Sequence, residues 1–135
     1  MAGHEINESG QQKIRILILD DEAIVCKRLA PAFQKAGYLV ETFNDSALAK
    51  ARIDAECFDI VITDLKMEGL DGMRFLEHVK NTCPETSVIV ITGFATPDTA
   101  KESFRKGAFD FVAKPFKLGD ILDTVKRLEA KIRQA

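Results

Sequence analysis

Two neighbouring carboxylates, Asp20 and Asp21, a third at Asp64, a hydroxyl at Thr92 and an ammonium at Lys114 each stand at or just past the end of a short apolar run. Three carboxylates in one pocket repel one another and raise one another's pKa values unless a cation intervenes. Oxygen ligands beside an anionic substrate suit Mg2+, which takes six ligands at roughly 2.0 to 2.1 Å and retains waters, and Mn2+ is expected to substitute. The three carboxylates, a divalent ion and Lys114 together come close to neutral, so the occupied pocket admits a phosphoryl donor that the acids alone would repel. A carboxylate that attacks phosphorus becomes an acyl phosphate, while metal and ammonium stabilise charge on the equatorial oxygens. Asp64 is the best placed nucleophile.

These residues meet only if the runs before them are parallel strands of one sheet, whose carboxyl ends share an edge. Residues 14–19 (IRILIL), 59–63 (DIVIT), 87–92 (SVIVIT) and 109–112 (FDFV) are largely apolar without strict alternation, the pattern of strands covered on both faces. A weaker run from Tyr38 to Phe43 completes five. Between them lie helical spacings: Val25, Leu29, Phe33 and Ala36; Phe75, Leu76 and Val79; Ile121, Val125, Leu128 and Ile132.

Punctuation marks the same boundaries. Asn44, Asp45 and Ser46 offer N-caps for the second helix, Asp71 for the third, and Thr96 before Pro97 for the fourth. Gly37 and Gly107 stand where left-handed C-caps end the first and fourth helices. Pro31 falls inside the first helical pattern and removes the hydrogen bond to the carbonyl of Lys27, which predicts a kink or a break.

Strand and helix alternate five times, and right-handed crossovers then place helices on both faces of the sheet. The expected fold is α/β: a (βα)5 doubly wound, five-stranded parallel sheet of order 2-1-3-4-5, flavodoxin-like, with the site where strands 1 and 3 diverge. Residues 1–12 are expected to be a flexible tail and 13–135 the folded domain.

LILDDE, VITDLKM, VIVITG and GAFDFVAKPF, in that order and spacing, resemble the receiver domain of two-component response regulators over about residues 14–133. The resemblance implies that Asp64 accepts a phosphoryl group from a histidine kinase or a histidine phosphotransfer protein. It implies Asp21 as a direct Mg2+ ligand, Asp20 acting mainly through metal-bound water, and Asp64 and the backbone carbonyl of Lys66 completing the protein ligands. Thr92 and Lys114 would bind phosphoryl oxygens, Phe111 would be the aromatic switch, and the Lys114–Pro115 peptide would be cis. The surface made by the fourth helix, fifth strand and fifth helix would then change shape and control an output domain or partner. Many members have proline where this chain has Glu68, which bears on the rigidity of that loop and not on the chemistry.

Three finer expectations follow. Phe111 has no hydroxyl to satisfy on burial, which favours an inward ring even without phosphate. Lys66 and Phe94, two residues beyond the acceptor and the switch hydroxyl, flank the path that the resemblance assigns to attacking water, which predicts a long-lived acyl phosphate. A homodimer through the fourth helix, fifth strand and fifth helix would involve Lys101, Arg105, Asp110 or Arg127.

Taken singly, these residues have plainer explanations. Asp20 or Asp21 alone reads equally well as a helix N-cap, Thr92 as a strand-end hydroxyl bonded to backbone, and Lys114 as a solvated lysine. Phe104 and Phe109 read as core, His78 as a surface residue, and His4 as part of the tail. Only the coincidence of the acids with Thr92 and Lys114 favours the site.

Composition bounds the alternatives. The chain has 135 residues, 46% of them hydrophobic, enough for one core. Its 19 basic and 21 acidic residues give a net charge of -2, so no broad positive field draws in nucleic acid or a membrane surface. Cys26, Cys57 and Cys83 lack paired spacing and are expected to be reduced. The polar N-terminus lacks a signal-peptide pattern, and the default compartment is the cytoplasm. A signalling domain, rather than a conventional enzyme, is the leading reading. A metal-dependent aspartyl phosphohydrolase of the haloacid-dehalogenase type would carry D-x-D after the first strand, where this chain has DDEAI. A degenerate receiver serving only for docking would not keep the full set of acidic, hydroxyl and amine positions.

Overall fold

The computed structural model describes residues 5–66 and 71–134. Five strands and five helices alternate: β1 (Arg15–Leu19), α1 (Ala23–Lys35), β2 (Leu39–Phe43), α2 (Ser46–Ala55), β3 (Ile60–Thr63), α3 (Gly72–Thr82), β4 (Ser87–Thr92), α4 (Pro97–Arg105), β5 (Asp110–Ala113) and α5 (Leu118–Gln134). The strands form one parallel sheet in the order β2-β1-β3-β4-β5, as the alternation predicts.

The apolar runs lack alternation because both faces are buried. Ile16, Ile18, Ile60, Ile62, Ile89 and Ile91 point to a layer with Leu29 and Phe33 of α1 and Val125 and Leu128 of α5. Leu17, Leu19, Val61, Val88 and Val90 point the other way, to Ala49 and Ile53 of α2 and Phe75, Leu76 and Val79 of α3. Each such side chain contributes roughly 1.5 to 3 kcal/mol by leaving water. The strands therefore cannot slip by one residue without exchanging one layer for the other.

The caps hold as anticipated. Asp45 accepts from the amides of Ala47 and Leu48, Asp71 from that of Arg74, and Thr96 forms a capping box with Thr99 ahead of Pro97. Gly37 and Gly107 take φ of 98° and 106°, the left-handed conformation that favours glycine. Asn44 instead donates from Nδ2 to the Asp20 carbonyl at 2.8 Å.

Helix α1 continues through Pro31 without a break. Pro31 and Lys27 both lie exposed, on the side of the helix where a carbonyl left without an amide partner can be served by solvent. Residues 5–13 fold back locally, with a bridge between Ile6 and Gln12 and a bond from the Lys13 amide to the Glu5 carbonyl at 2.8 Å. Glu68 and His4 lie outside the described residues.

Two expectations are corrected. Cys57 and Cys83 form a disulfide, while Cys26 is free and buried. Their separation of 26 residues hid the pairing, but the sheet brings the α2–β3 connection beside the end of α3, with Cα atoms 5.8 Å apart. Closing a loop of that size stabilises by about 3 to 4 kcal/mol in a chain-entropy account. Phe104 is 49% exposed and not core, because α4 buries only Ser103 and turns Phe104 outward. Phe109 does pack against the α1/α5 layer.

Candidate functional site

The carboxyl edge of the sheet gathers the predicted residues. Asp20 follows β1, Asp64 follows β3, Thr92 ends β4 and Lys114 follows β5. Backbone bonds past the strand ends hold them in line: Asp64 N donates to the Leu19 carbonyl at 3.2 Å, Asp20 N to that of Phe43 at 3.1 Å, and Lys114 N to that of Thr92 at 2.8 Å.

Lys114 Nζ sits 2.8 Å from Asp20 Oδ2, 2.8 Å from Asp64 Oδ2 and 2.6 Å from Glu22 Oε1. Burial alone pulls the Lys114 pKa down, but the hydrogen bonds to Asp20, Asp64 and Glu22 outweigh it and raise the value above that of a free lysine. Burial raises the Asp20 carboxyl, against the lowering effect of Lys114 and the Glu22 amide. This is the expected strain of acids crowded in a partly dry pocket with one cation.

Asp64 is held by both oxygens. Its Oδ1 accepts from the Leu65 amide at 2.6 Å and the Lys66 amide at 3.3 Å, while Oδ2 faces Lys114. Gly72 fits against the same turn: its amide donates to the Leu65 carbonyl at 2.7 Å, and a Cβ there would lie 1.8 Å from the Asp64 carbonyl oxygen. The tight approach of α3 thus shapes the turn at Asp64 and Leu65.

Asp20, Asp21 and Asp64 each offer an oxygen within 4.8 Å of the others, with Asp21 exposed and the other two buried. An all-oxygen set with one solvent-facing member suits Mg2+, which keeps part of its water shell. The N-cap explanation of the acidic pair does not hold, since Glu22 is the N-cap of α1 and makes no side-chain cap bond. Asp20 Oδ1 instead accepts from the Glu22 amide at 2.9 Å.

Glu22 is a site residue that sequence reasoning missed. The signal was present, a third acid directly after the pair, but only the position of Lys114 shows where its carboxylate goes. Thr92 is fully buried, and its Oγ1 accepts from the Phe94 amide at 3.1 Å, so its hydroxyl is engaged with its own loop. Phe111 is half-buried against the α2/α3 layer. The Lys114–Pro115 peptide is cis. His78 Nε2 lies 2.6 Å from Asp54 Oδ1 on the α2/α3 surface, away from this edge.

The response regulator receiver domain model matches residues 16–126. The chain belongs to that family. Among curated relatives, this receiver is 36% identical over 113 residues to the regulatory protein AtoC of Escherichia coli, spanning 84% of this chain and 24% of that protein. It is 30% identical over 118 residues to the C4-dicarboxylate transport transcriptional regulatory protein DctD of Rhizobium meliloti, spanning 87% and 26%. The receiver thus spans about a quarter of the length of the curated relatives it matches. Among solved structures it superposes on a CheY-like receiver domain protein from Methanospirillum hungatei with a TM-score of 0.86 and 26% identity, covering 92% of this chain and 100% of that one. The beryllofluoride-activated NtrC4 receiver domain dimer gives a TM-score of 0.80 and 33% identity, covering 84% and 94%.

Proposed function

We propose that Asp64 is the phosphoacceptor of this receiver, taking a phosphoryl group from a phosphohistidine of a sensor histidine kinase or histidine phosphotransfer protein. The observation that carries the reading is the pairing of Asp64 Oδ2 with Lys114 at 2.8 Å, beside Asp20 and Asp21. An Asp64 oxygen attacks phosphorus, the P–N bond breaks with its electron pair going to the imidazole, and an acyl phosphate remains on Asp64. Amide bonds from Leu65 and Lys66 hold the carboxylate in one orientation, which favours in-line attack. Lys114 supplies a fixed positive charge to a phosphoryl oxygen. Asp20, Asp21, Asp64 and the Lys66 carbonyl are the residues that would hold Mg2+, and the ion, when bound, offsets the charge of the acids and of the incoming group.

Phosphorylation takes Asp64 from about -1 to about -2 and adds acceptor oxygens. The Thr92 hydroxyl then leaves the Phe94 amide and turns to donate to one of them. Phe94 is itself tied forward, because its carbonyl accepts from Thr99 Oγ1 at 2.8 Å, within the capping box of α4. Movement at Thr92 therefore reaches α4 through one residue. Helix α4 buries only Ser103, so it has little apolar packing to resist the shift. Phe111, beside β4 at the Val90 register, follows the space that Thr92 leaves. The α4-β5-α5 face, with Phe104 exposed, is the surface that controls an output domain or pairs with a second copy.

The domain works in the cytoplasm and is not a multiple-turnover enzyme. No helix among the described residues is long and apolar enough to cross a membrane. The test is intact-protein mass spectrometry after acetyl phosphate and Mg2+, comparing the parent with Asp64→Asn. A labile gain of about 80 Da, one phosphoryl group, is expected in the parent alone. An equal adduct on D64N, or steady turnover of small phosphate esters, would overturn the assignment.

A further inference from the structure

The Cys57–Cys83 disulfide closes a covalent ring around the acceptor. Starting at Cys57, the chain enters β3, passes Asp64 at its end, turns into α3 at Gly72 and returns along that helix to Cys83, its C-cap. The two anchors of the ring sit at opposite ends of α3: the sulfurs at one, and the Gly72 amide on the Leu65 carbonyl at the other.

The two half-cystines differ in exposure. Cys57 is exposed and Cys83 is 3% exposed. Beside them opens a cavity of about 400 Å3, lined by Phe58, Thr82, Pro84 and Ile132 and flanked by Asp59 and Glu85. That volume is ample for a small thiol, and its apolar wall suits an alkyl stem.

The surrounding framework does not depend on the S–S bond. Thr86 Oγ1 donates to the Phe58 carbonyl, Lys80 Nζ donates to the Pro84 and Thr86 carbonyls at 2.8 and 2.7 Å, and the Cys83 amide donates to the Val79 carbonyl at 2.7 Å. Phe75, Leu76 and Val79 keep α3 on the sheet. Both redox forms therefore retain the fold, and opening the ring loosens the β3–α3 unit without dismantling it.

We propose that Cys57 and Cys83 form a reversible thiol–disulfide exchange site, entered from this cavity by a small thiol, and that its redox state sets how firmly Gly72 closes the Asp64 turn. A thiolate attacks Cys57 Sγ, the Cys57–Cys83 bond breaks, and the electron pair leaves on Cys83 Sγ, which takes a proton. A second thiolate then displaces the Cys57 thiolate, which is also protonated, so two thiols are oxidised to one disulfide as the protein disulfide becomes a dithiol. In a reducing compartment such a bond is transient, as exchange sites are. The consequence for phosphoryl acceptance rests on the receiver reading above; the exchange and the closure of Gly72 do not.

The folded parent is treated with cysteamine, and exchange is followed by alkylation and intact mass. Two alkylations, on Cys57 and Cys83 with Cys26 untouched, are expected without loss of the folded spectrum. Amide hydrogen exchange at Gly72 is expected to be about tenfold faster in the reduced form and in Cys57→Ser, and unchanged in Cys26→Ser. Alkylation only on global unfolding, or identical Gly72 protection in both redox forms, would overturn the proposal. Failure of the receiver reading would show differently, as no phosphoryl adduct in either form.

Discussion

The Lys66 ammonium lies 4.4 Å from the centre of the Phe94 ring, which joins the loop after β3 to the loop after β4. Both side chains are exposed, Phe94 by 51%, so the pair faces solvent. A cation held over an aromatic face is worth about 0.5 to 1 kcal/mol at an exposed position, enough to bias where both side chains rest.

This exposed pair is expected to slow attack of water on an acyl phosphate at Asp64. Replacing both residues with serine is expected to speed loss of the phosphoryl group by about tenfold, equivalent to ~1.4 kcal/mol in the barrier. Decay of the mass adduct with time measures it, and an unchanged half-life would refute the role of the pair.

Gly72 tolerates no side chain. Its ideal Cβ falls 1.8 Å from the Asp64 carbonyl oxygen and 2.5 Å from Leu65 Cα, both backbone atoms that cannot move aside cheaply. Gly72→Ala is expected to destabilise the domain by about 2 to 4 kcal/mol in urea unfolding and to slow acceptance of phosphate at Asp64. Parent-like stability would show that α3 approaches the turn less closely.

Metal binding has its own readout. Mg2+ at about 100 times its dissociation constant stabilises the folded state by ~2.7 kcal/mol through mass action. Thermal unfolding with Mg2+ and with a chelator is expected to differ for the parent and to coincide for Asp21→Asn, since Asp21 is the solvent-facing member of the set. A parent indifferent to Mg2+ would contradict the site.

Acid sensitivity arises on the edge strand β2. Arg52 grips Glu41 through both oxygens at 2.8 and 2.9 Å, and these bonds hold the Glu41 pKa below the ordinary 4.5 despite some burial. A carboxyl with a depressed folded pKa contributes stability that is whole above the unfolded value and is lost as pH falls through the folded one. The side chain is 40% exposed, so solvent screening limits the contribution to under about 1 kcal/mol. Urea unfolding below pH 4.5 is expected to weaken the parent more than Glu41→Gln. Parallel curves would rule the contribution out.

The legible parts of this protein were those written locally. The unalternating runs announced doubly covered strands, and Asp45, Asp71 and Thr96 announced helix starts, because capping needs only an oxygen within three residues of an amide. The Asp20, Asp64 and Lys114 cluster followed from one geometric consequence of a parallel sheet, that strand ends of the same polarity share an edge. Glu22, Phe104 and the cysteine pair were misread for a common reason. Each depends on what lies across a gap in space: Lys114 for Glu22, the shallow seat of α4 for Phe104, and the end of α3 for Cys57.

The order of residue types along the chain was enough to determine the doubly wound sheet, the acidic edge and the cation that answers it. Those follow from periodicity, backbone polarity and charge. Tertiary structure alone decided that Lys114 is shared among three carboxylates, that Thr92 Oγ1 accepts from the Phe94 amide, and that a disulfide closes the segment carrying Asp64. Such facts depend on distances of a few ångströms between residues dozens of positions apart, which no local pattern encodes.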